Sequence, residues 1–490
     1  MSTVSRRVFI RQSPVLLMSS LGVALARCGT PGHFAGLATP AMSASGPLRV
    51  STDNPRYFAD PSGRIVYLTG SHTWDNFQDW GSPAAPFDYD AYLRLLRRHG
   101  HNFTRLWVWE QPGISSRPLD SSASVEPLPY LRTGPGLAND GKPRFDLARF
   151  NPAFFERLRR RLIAAAERGI YASIMLFQEY LHWPSHPFNA ANNINGINGD
   201  ANGDGNGREV HTLTSAAVTT LQCAYIRRVV DAVNDLENVL YEIGNEFDRP
   251  ETFAWQSMLA RYIKAYQAGL PKQHPVGITA TGGATNTDLF ASPADWMSPR
   301  VLAGEDYAYD PPEGQGTKVI ISDTDHIWPI VKEPTAEWVW KSFLRGLNPI
   351  TMDVVQNRLP GGEGEFNDPE NPRLPAVRRA MGQTRAFASR LALSRAVPAS
   401  GLASTRYCLA ASGSQYLVYV PAPAGRRATL RHWLYRPPIT IDLSGASGLF
   451  VTEWFYPSSG TIVRSDDTTG GAVRRYRWPL TGDAVLFLYR

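Results

Sequence analysis

The sequence predicts an α/β chain, a (β/α)8 TIM barrel with a small C-terminal β-sandwich domain, and three observations carry that expectation. Short apolar runs alternate with amphipathic stretches between residues 47 and 395, which is the pattern of parallel βα units. Beyond residue 393 the pattern changes to short alternating strands separated by Gly, Ser and Pro turns, the signature of a β-sandwich. A length of 490 residues, 43% hydrophobic and 19% charged, exceeds one compact core and suits a large barrel plus one smaller domain.

Eight apolar runs read as barrel strands: 65–70, 103–109, 171–177, 239–244, 276–280, 294–298, 319–322 and 349–352. Between them, Phe154, Leu158, Leu162 and Ala165, and again Tyr225, Val229, Val230 and Val233, recur at helical spacing. Asp88 and Asn151 stand where helix N-caps belong, and Gly100 and Gly169 where a helix end wants a left-handed residue. The barrel is therefore expected over 47–395 and the sandwich over 396–490, with strands at 415–420, 439–443, 449–456 and 484–489. The run 189–207, rich in Asn, Gly and Asp, is long for a loop, and it follows the third strand on the side of a barrel where loops carry function.

The N-terminus reads Ser5-Arg6-Arg7-Val8-Phe9-Ile10, then an apolar stretch 15–26 closing in Ala24-Leu25-Ala26. This is the grammar of a twin-arginine signal peptide, 1–26, too short for a permanent membrane span, and it implies a periplasmic or secreted protein. Arg27 occupies the place where a lipoprotein signal before Cys28 wants a small residue. The formal charge of +6 falls once Arg6, Arg7 and Arg11 leave with that segment, and the remaining basic residues are scattered, so nucleic acid is not an expected partner. No later run is long and apolar enough to span a membrane, and Cys223 and Cys408 fall in different predicted domains and need no bridge. The chain is expected to act as a monomer.

The chemistry concentrates at strand ends. The fourth strand closes in Tyr241-Glu242-Ile243-Gly244-Asn245-Glu246-Phe247, placing a carboxylate and an amide where a barrel keeps its active site. In a dry pocket Glu246 can protonate a leaving oxygen, and Asn245 can bond a hydroxyl. Asn102-Phe103-Thr104-Arg105-Leu106-Trp107 puts Arg105 on the second strand, where its fixed charge can keep a neighbouring carboxylate ionised. Ser322-Asp323-Thr324-Asp325-His326 ends the seventh strand and supplies the second carboxylate that glycosidic cleavage requires, Asp323 ranking ahead of Asp325 by its distance from the apolar run. Glu242, deeper on the Glu246 face, reads as the structural partner of a buried Arg. His72, Trp74, Asp75, Trp109, Gln178, Trp183, Tyr307, His326 and Asp353 lie at or just past strand ends. As a set they suit a polyol site, rings for stacking interleaved with polar acceptors.

These residues resemble the cellulase-like barrels of glycoside hydrolase clan A, whose acid/base Glu follows an Asn on strand four, with an Arg on strand two and a carboxylate nucleophile on strand seven. More narrowly the chain is similar to a bacterial barrel family long labelled as a domain of unknown function, with apiosidases among its relatives and a C-terminal sandwich named for collagen binding. Tyr57-Phe58-Ala59-Asp60 and Leu68-Thr69-Gly70-Ser71-His72-Thr73-Trp74 resemble that family's opening strand, and Val451-Thr452-Glu453-Trp454-Phe455 with Pro457 its sandwich. The resemblance implies a glycoside hydrolase acting on a poly- or oligosaccharide, with the strand-seven Asp as nucleophile or as base for water; clan likeness favours retention of configuration, and the shorter Asp side chain favours inversion. One departure is the use of Asp, rather than the clan's Glu, on strand seven.

Other classes fit less well. A metal-dependent hydrolase on this barrel would need two His on strand one, where His72 stands alone. The alternative to an enzyme is a glycan- or matrix-binding barrel without chemistry. No cofactor is expected. The metal signal is Asn198, Asp200, Asn202, Gly203 and Glu209 at positions one, three, five, six and twelve of a calcium loop, a match that an Asn/Gly-rich run produces easily. His182 and His186 flank Pro184, so no helix aligns them as ligands.

Overall fold

Eight parallel strands close into a barrel: β1 (Gly70–His72), β2 (Phe103–Trp107), β3 (Tyr171–Gln178), β4 (Val239–Asn245), β5 (Val276–Thr279), β6 (Trp296–Ser298), β7 (Val319–Asp323) and β8 (Asn348–Met352). The computed structural model from which this is drawn describes residues 32–33, 44–81, 84–113, 124–179, 181–247, 249–279, 282–327, 334–353, 373–422, 438–477 and 482–490. The twin-arginine segment and Cys28 lie outside these residues. Helices α1 (Tyr89–Arg98), α2 (Pro152–Ala166), α3 (Ala216–Val233), α4 (Glu251–Gln267), α5 (Asn286–Ala291), α6 (Thr324–Ile327), α7 (Ala336–Leu344) and α8 (Leu374–Ala388) follow β1, β2, β3, β4, β5, β7, β7 and β8 respectively. The connection from β6 to β7 carries no helix.

Local chemistry sets the boundaries. The Asp88 side chain accepts from Ala91 N at the start of α1, and Asn151 accepts from Ala153 N with Pro152 in the first turn of α2. Gly100 (φ 74) and Gly169 (φ 70) reverse the chain after α1 and α2 at no steric cost. The apolar stripe of α2, Phe154, Leu158, Leu162 and Ala165, is buried against the outer faces of β2 to β4, including Leu106, Ile174 and Tyr241.

Inside the barrel the alternation of strand side chains builds layers. Phe103, Leu240, Val319, Ile321, Ile350 and Trp296 form an apolar floor. Gly277 leaves room for Trp296, since a Cβ there would stand 1.9 Å from the indole. Beneath the floor a small antiparallel sheet, Arg49–Val50, Phe58–Ala59 and Ile65–Val66, closes the barrel bottom. This alters the expected first strand, because the barrel register aligns Gly70 and His72 with Ile350 and Met352 of β8. Val66 and Leu68 instead face the floor, and Tyr67 packs outward among the helices.

The C-terminal part is an unequal sandwich. Strands β9 (Val397–Pro398), β10 (Cys408–Ala411), β11 (Gln415–Val420), β13 (Leu449–Tyr456), β14 (Thr461–Thr469) and β16 (Ala484–Tyr489) form an antiparallel sheet with Gly32–His33 at its edge, and β12 (Ile439–Asp442) pairs with β15 (Val473–Tyr476) as a second layer. Alternate residues of the large sheet go to different cores. Tyr416, Val418, Leu486 and Leu488 meet the small layer, whereas Leu417, Tyr419, Val485 and Phe487 pack on α7 and α8. Trp340 of α7 stacks on Tyr419 at 6.1 Å and meets Phe455 at 5.9 Å. The barrel thus supplies the cover that a third sandwich layer would give. Cys223 and Cys408 are both free thiols.

Trp340→Ala is expected to lower the stability of the chain by about 3–5 kcal/mol in urea unfolding, as a large buried ring leaves a cavity between two layers. Leu449→Ala, at a residue 57% exposed, is expected to change it by less than about 0.5 kcal/mol.

Candidate active site

Above the apolar floor sits a charged layer. Arg105 of β2 points into the barrel and is fully buried. Its Nε donates to Glu242 Oε2 and its Nη2 to Glu242 Oε1, both at 2.7 Å, while Nη1 donates to Asp323 Oδ2. Burial alone would lower the guanidinium, yet Glu242 and Asp323 together raise it. Burial pushes the Glu242 carboxyl up. Its oxygens nevertheless take three donors, the third being Ser173 Oγ at 3.1 Å, and these bonds oppose the effect of burial. Glu242 is thus the structural partner of a buried Arg, as its position in the sequence indicates.

Asp323 is occupied in the same way. Burial acts to raise it, and His72 and Arg105 overcome that to hold it well below the usual carboxylate range. His72 Nδ1 accepts from the Trp107 indole N–H at 2.8 Å, so the ring proton lies on Nε2, which donates to Asp323 Oδ1 at 3.0 Å. The Asp325 backbone N–H adds a bond to Asp323 Oδ1 at 3.1 Å. Arg105, His72 and Asp323 therefore lie beneath the mouth of the barrel, all buried, and each engages the others rather than an open face.

Asp325 and Glu246 form the upper pair. Burial, then the charges of Glu246 and Asp323, raise the Asp325 carboxyl well above its ordinary value. Its Oδ2 is buried with no close donor: His326 Nε2 stands 4.0 Å away, and the Asn245 side chain offsets the rise only in part. Glu246 follows β4 with φ 52, a left-handed conformation costly to a non-glycine residue and characteristic of functional sites. Asn245 donates to Glu246 Oε2 across a long 3.5 Å and accepts from His326 Nε2 at 2.6 Å. Burial pushes His326 down to about 3, so the ring is neutral, and with Nε2 protonated its Nδ1 accepts from Ser298 Oγ at 2.6 Å. A chain from β6 through β7 to β4 therefore orients the amide beside Glu246.

The remaining sequence candidates divide. Trp74 is 36% exposed, and its carbonyl accepts from Trp109 Nε1 at 2.9 Å. Trp109 is buried edge-on to Trp80. Gln178 pairs with Asn245 in register, and both its amide atoms are buried without a partner. Asp75 is buried and accepts from Thr73 Oγ1 at 3.2 Å. Asp353 forms an ion pair with Arg378. Two candidates pack elsewhere. Trp183 belongs to a satellite core with Phe188 and Val210 and lies against Gly207, where a Cβ would stand 2.1 Å from its ring. Tyr307 is buried among Trp338 and the α7 core, and its carbonyl takes the Trp338 indole. An aromatic residue past a strand has the same sequence pattern whether it lines a mouth or fills a core.

A further group was not singled out from the sequence. Glu110 follows β2, Glu179 follows β3, and His211 stands between them, 3.1 Å from Glu110 Oε2 and 3.8 Å from Glu179 Oε2. Burial works against the imidazolium, but Glu110 and Glu179 raise it to about 9. The rule that finds Glu246, a carboxylate just past an apolar barrel strand, also finds Glu110 and Glu179. His211 has no such signal, because a long loop delivers it. Asn76 and Gln78 extend β2 by side-chain bonding: Asn76 takes Trp107 N and gives to Arg105 O, and Gln78 takes Trp109 N and gives to Trp109 O. Asp323, Asp325 and His326 are spaced closely enough to hold a metal, but Arg105 already neutralises Asp323 and His326 Nε2 donates to Asn245, so the set fits an ion poorly.

With this geometry in view, three solved structures share the architecture. A glycoside hydrolase superposes with a TM-score of 0.58 at 14% identity, over 91% of this chain and 97% of that one. A family 5 glycoside hydrolase from Bacteroides vulgatus ATCC 8482 gives 0.56 at 15% identity, over 90% and 93%. A second glycoside hydrolase from the same organism gives 0.58 at 17% identity, over 93% and 83%. At these identities the likeness is one of fold. A family model described as a domain of unknown function, DUF6298, matches residues 120–289. No curated protein matches the chain. No helix among the described residues is long and apolar enough to cross a membrane.

Arg105→Met is expected to cost about 3–5 kcal/mol of unfolding free energy, because Glu242 and Asp323 would remain buried without their counter-charge. His211 is raised from 6.5 to about 9, so the stability it contributes is complete below pH about 6.5 and is lost as pH rises through about 9. His186 nearby is lowered to about 3 by burial and stays neutral over that window. Denaturant midpoints between pH 6 and 10 should therefore fall on the alkaline side, and His211→Gln should flatten the slope.

Proposed function

We propose that the protein is a glycoside hydrolase in which Glu246 protonates the leaving oxygen and Asp325, rather than Asp323, is the second carboxyl group. The observation that carries this reading is the buried Oδ2 of Asp325 beside Glu246, which has only the Asn245 amide and, at 4.0 Å, His326 Nε2 near it, set against an Asp323 whose two oxygens are bonded by Arg105 and His72. Like charges so close cannot both ionise cheaply, so the pair shares one proton, and turnover requires the form in which Glu246 carries it and Asp325 is ionised. Glu246 is the better placed donor because its longer side chain is partly exposed at the strand end. Asp325 attacks the anomeric carbon, forming a glycosyl-enzyme, and Glu246, now ionised, takes a proton from the water that cleaves it. Asn245, fixed by His326, bonds a sugar hydroxyl, and Trp74 offers an apolar face for a ring. The fold shared with glycoside hydrolases supports the class, and the sequence resemblance to apiosidase-related barrels supports a plant-type poly- or oligosaccharide as substrate. The twin-arginine pattern supports action outside the cytoplasm.

Glu246→Gln and Asp325→Asn are each expected to keep the fold and to reduce reducing-sugar release from a glycan panel by at least about a hundredfold. If glycan binding persists in the wild-type chain without any release, the barrel is a binding protein. Asp325 must be ionised to attack, and its raised pKa places the acid limb of kcat/KM above the ordinary carboxylate range, activity falling as pH drops through it. Proton NMR of the first product is expected to find the anomer retained, and an inverted product would make Asp325 the base for water instead.

A further inference from the structure

We propose that the loop 198–209 is a calcium site, held by Asp200, Asp204 and Glu209, which braces the turn that carries His211 into the barrel mouth. The carboxylate oxygens these three residues offer lie within 4.8 Å of one another. Asp200-Ala201-Asn202-Gly203-Asp204-Gly205 matches the opening of a calcium loop, Asp and Asn at alternate positions followed by Gly, two residues later than the register that begins at Asn198. The fold accounts for the shift. Asp200 accepts the N–H groups of Gly203 at 3.0 Å and Gly205 at 2.9 Å, while Gly203 (φ 75) and Gly205 (φ 83) take left-handed conformations, so the chain wraps around Asp200 and brings Asp204 to it. Asn198 instead caps Asp200 N from the loop's start.

Glu209 provides the independent observation. It is 6% exposed, and its Oε2 is buried with no hydrogen-bond partner. Its Oε1 is anchored by Asn202 Nδ2 at 2.9 Å and by Arg249 Nη1 at 3.0 Å. The same Asn202 amide donates to Asp204 Oδ2 at 3.0 Å, so one amide ties the Glu209 carboxylate to the loop that carries the other two acids. Leaving an anionic oxygen buried and unsatisfied is costly, and a cation removes that cost. Three carboxylates against the Arg249 guanidinium leave a negative excess that suits a divalent ion. The donors are all oxygen, on a largely exposed loop able to adapt to a high coordination number, which favours Ca2+ over Mg2+ and over softer metals.

The consequence reaches the mouth of the barrel. Glu209 and His211 share one turn, Arg208–His211, tied down by Gln222 Nε2 on Val210 O at 2.7 Å. Gly207, just before it, packs on Trp183. An ion on Glu209 therefore fixes the segment that sets His211 between Glu110 and Glu179.

The test is calcium titration of the full chain after chelator treatment, by calorimetry and by melting, with magnesium in parallel. The expected result is one ion bound per chain, a rise in Tm of a few degrees once calcium exceeds Kd about a hundredfold, and slower hydrogen exchange over 199–212. Asp204→Asn, at an exposed position, and Glu209→Gln should each weaken binding by about tenfold or more. Because Asp204 lies at the surface, its variant remains readable if Glu209→Gln fails to fold. No calcium heat and no Tm shift, tighter binding of magnesium, or unchanged affinity in Asp204→Asn would overturn the proposal. These readouts do not depend on whether the barrel cleaves a glycan.

Discussion

The buried fork of Arg105 between Glu242 and Asp323 is the interaction on which the rest of the barrel depends. It joins β2, β4 and β7, strands that do not all neighbour one another, through a single side chain in the barrel's interior. Taking three ions out of water costs several kcal/mol each, and the arrangement persists because nearly every lone pair has a donor, from the guanidinium, Ser173, His72 and the Asp325 backbone. Removing one member exposes the whole penalty of the others. The layer is therefore a rigid base, and the apolar floor below it keeps water from relaxing it.

That base divides the acids of the mouth into two kinds. Glu242 and Asp323, within it, are paired with Arg105. Burial, then the charges of Glu246 and Asp323, raise the Asp325 carboxyl, and Arg105 offsets this only in part. At Glu246 a left-handed non-glycine residue turns the chain sharply at the strand end. The conformation at Glu246 is sustained by the packing of β4 against α3 and α4.

Around this centre the peripheral parts act as clamps. The C-terminal sheet covers α7 and α8, whose strand β8 pairs with β1 and so holds His72 in register. Arg390 adds a bond to Glu453 at 2.5 Å across that same junction. On the opposite side, the loop after β3 returns as His211 and meets Glu110 and Glu179, closing the mouth with an ion pair in a nearly dry setting.

By itself the sequence determined the barrel, its eight strand positions within a few residues, the caps of α1 and α2, the strand-rich C-terminal part, and the concentration of Glu246, Asn245, Arg105 and the strand-seven acids at one end. These follow from hydrophobic period and from residues whose backbone preferences are local, and such information is written in the order of the chain. Tertiary structure alone decided which of Asp323 and Asp325 is bonded by Arg105 and His72, since that turns on whether those side chains reach a given carboxylate through the barrel's interior. It also decided that Trp183 and Tyr307 fill cores, that His72 lies beneath the mouth, and that His211 enters it, because burial and cross-strand partners depend on which distant segments meet. Residues 65–66 leave the expected first strand for the same reason: an apolar run specifies that a segment is buried, while strand register and the shape of the barrel floor specify where.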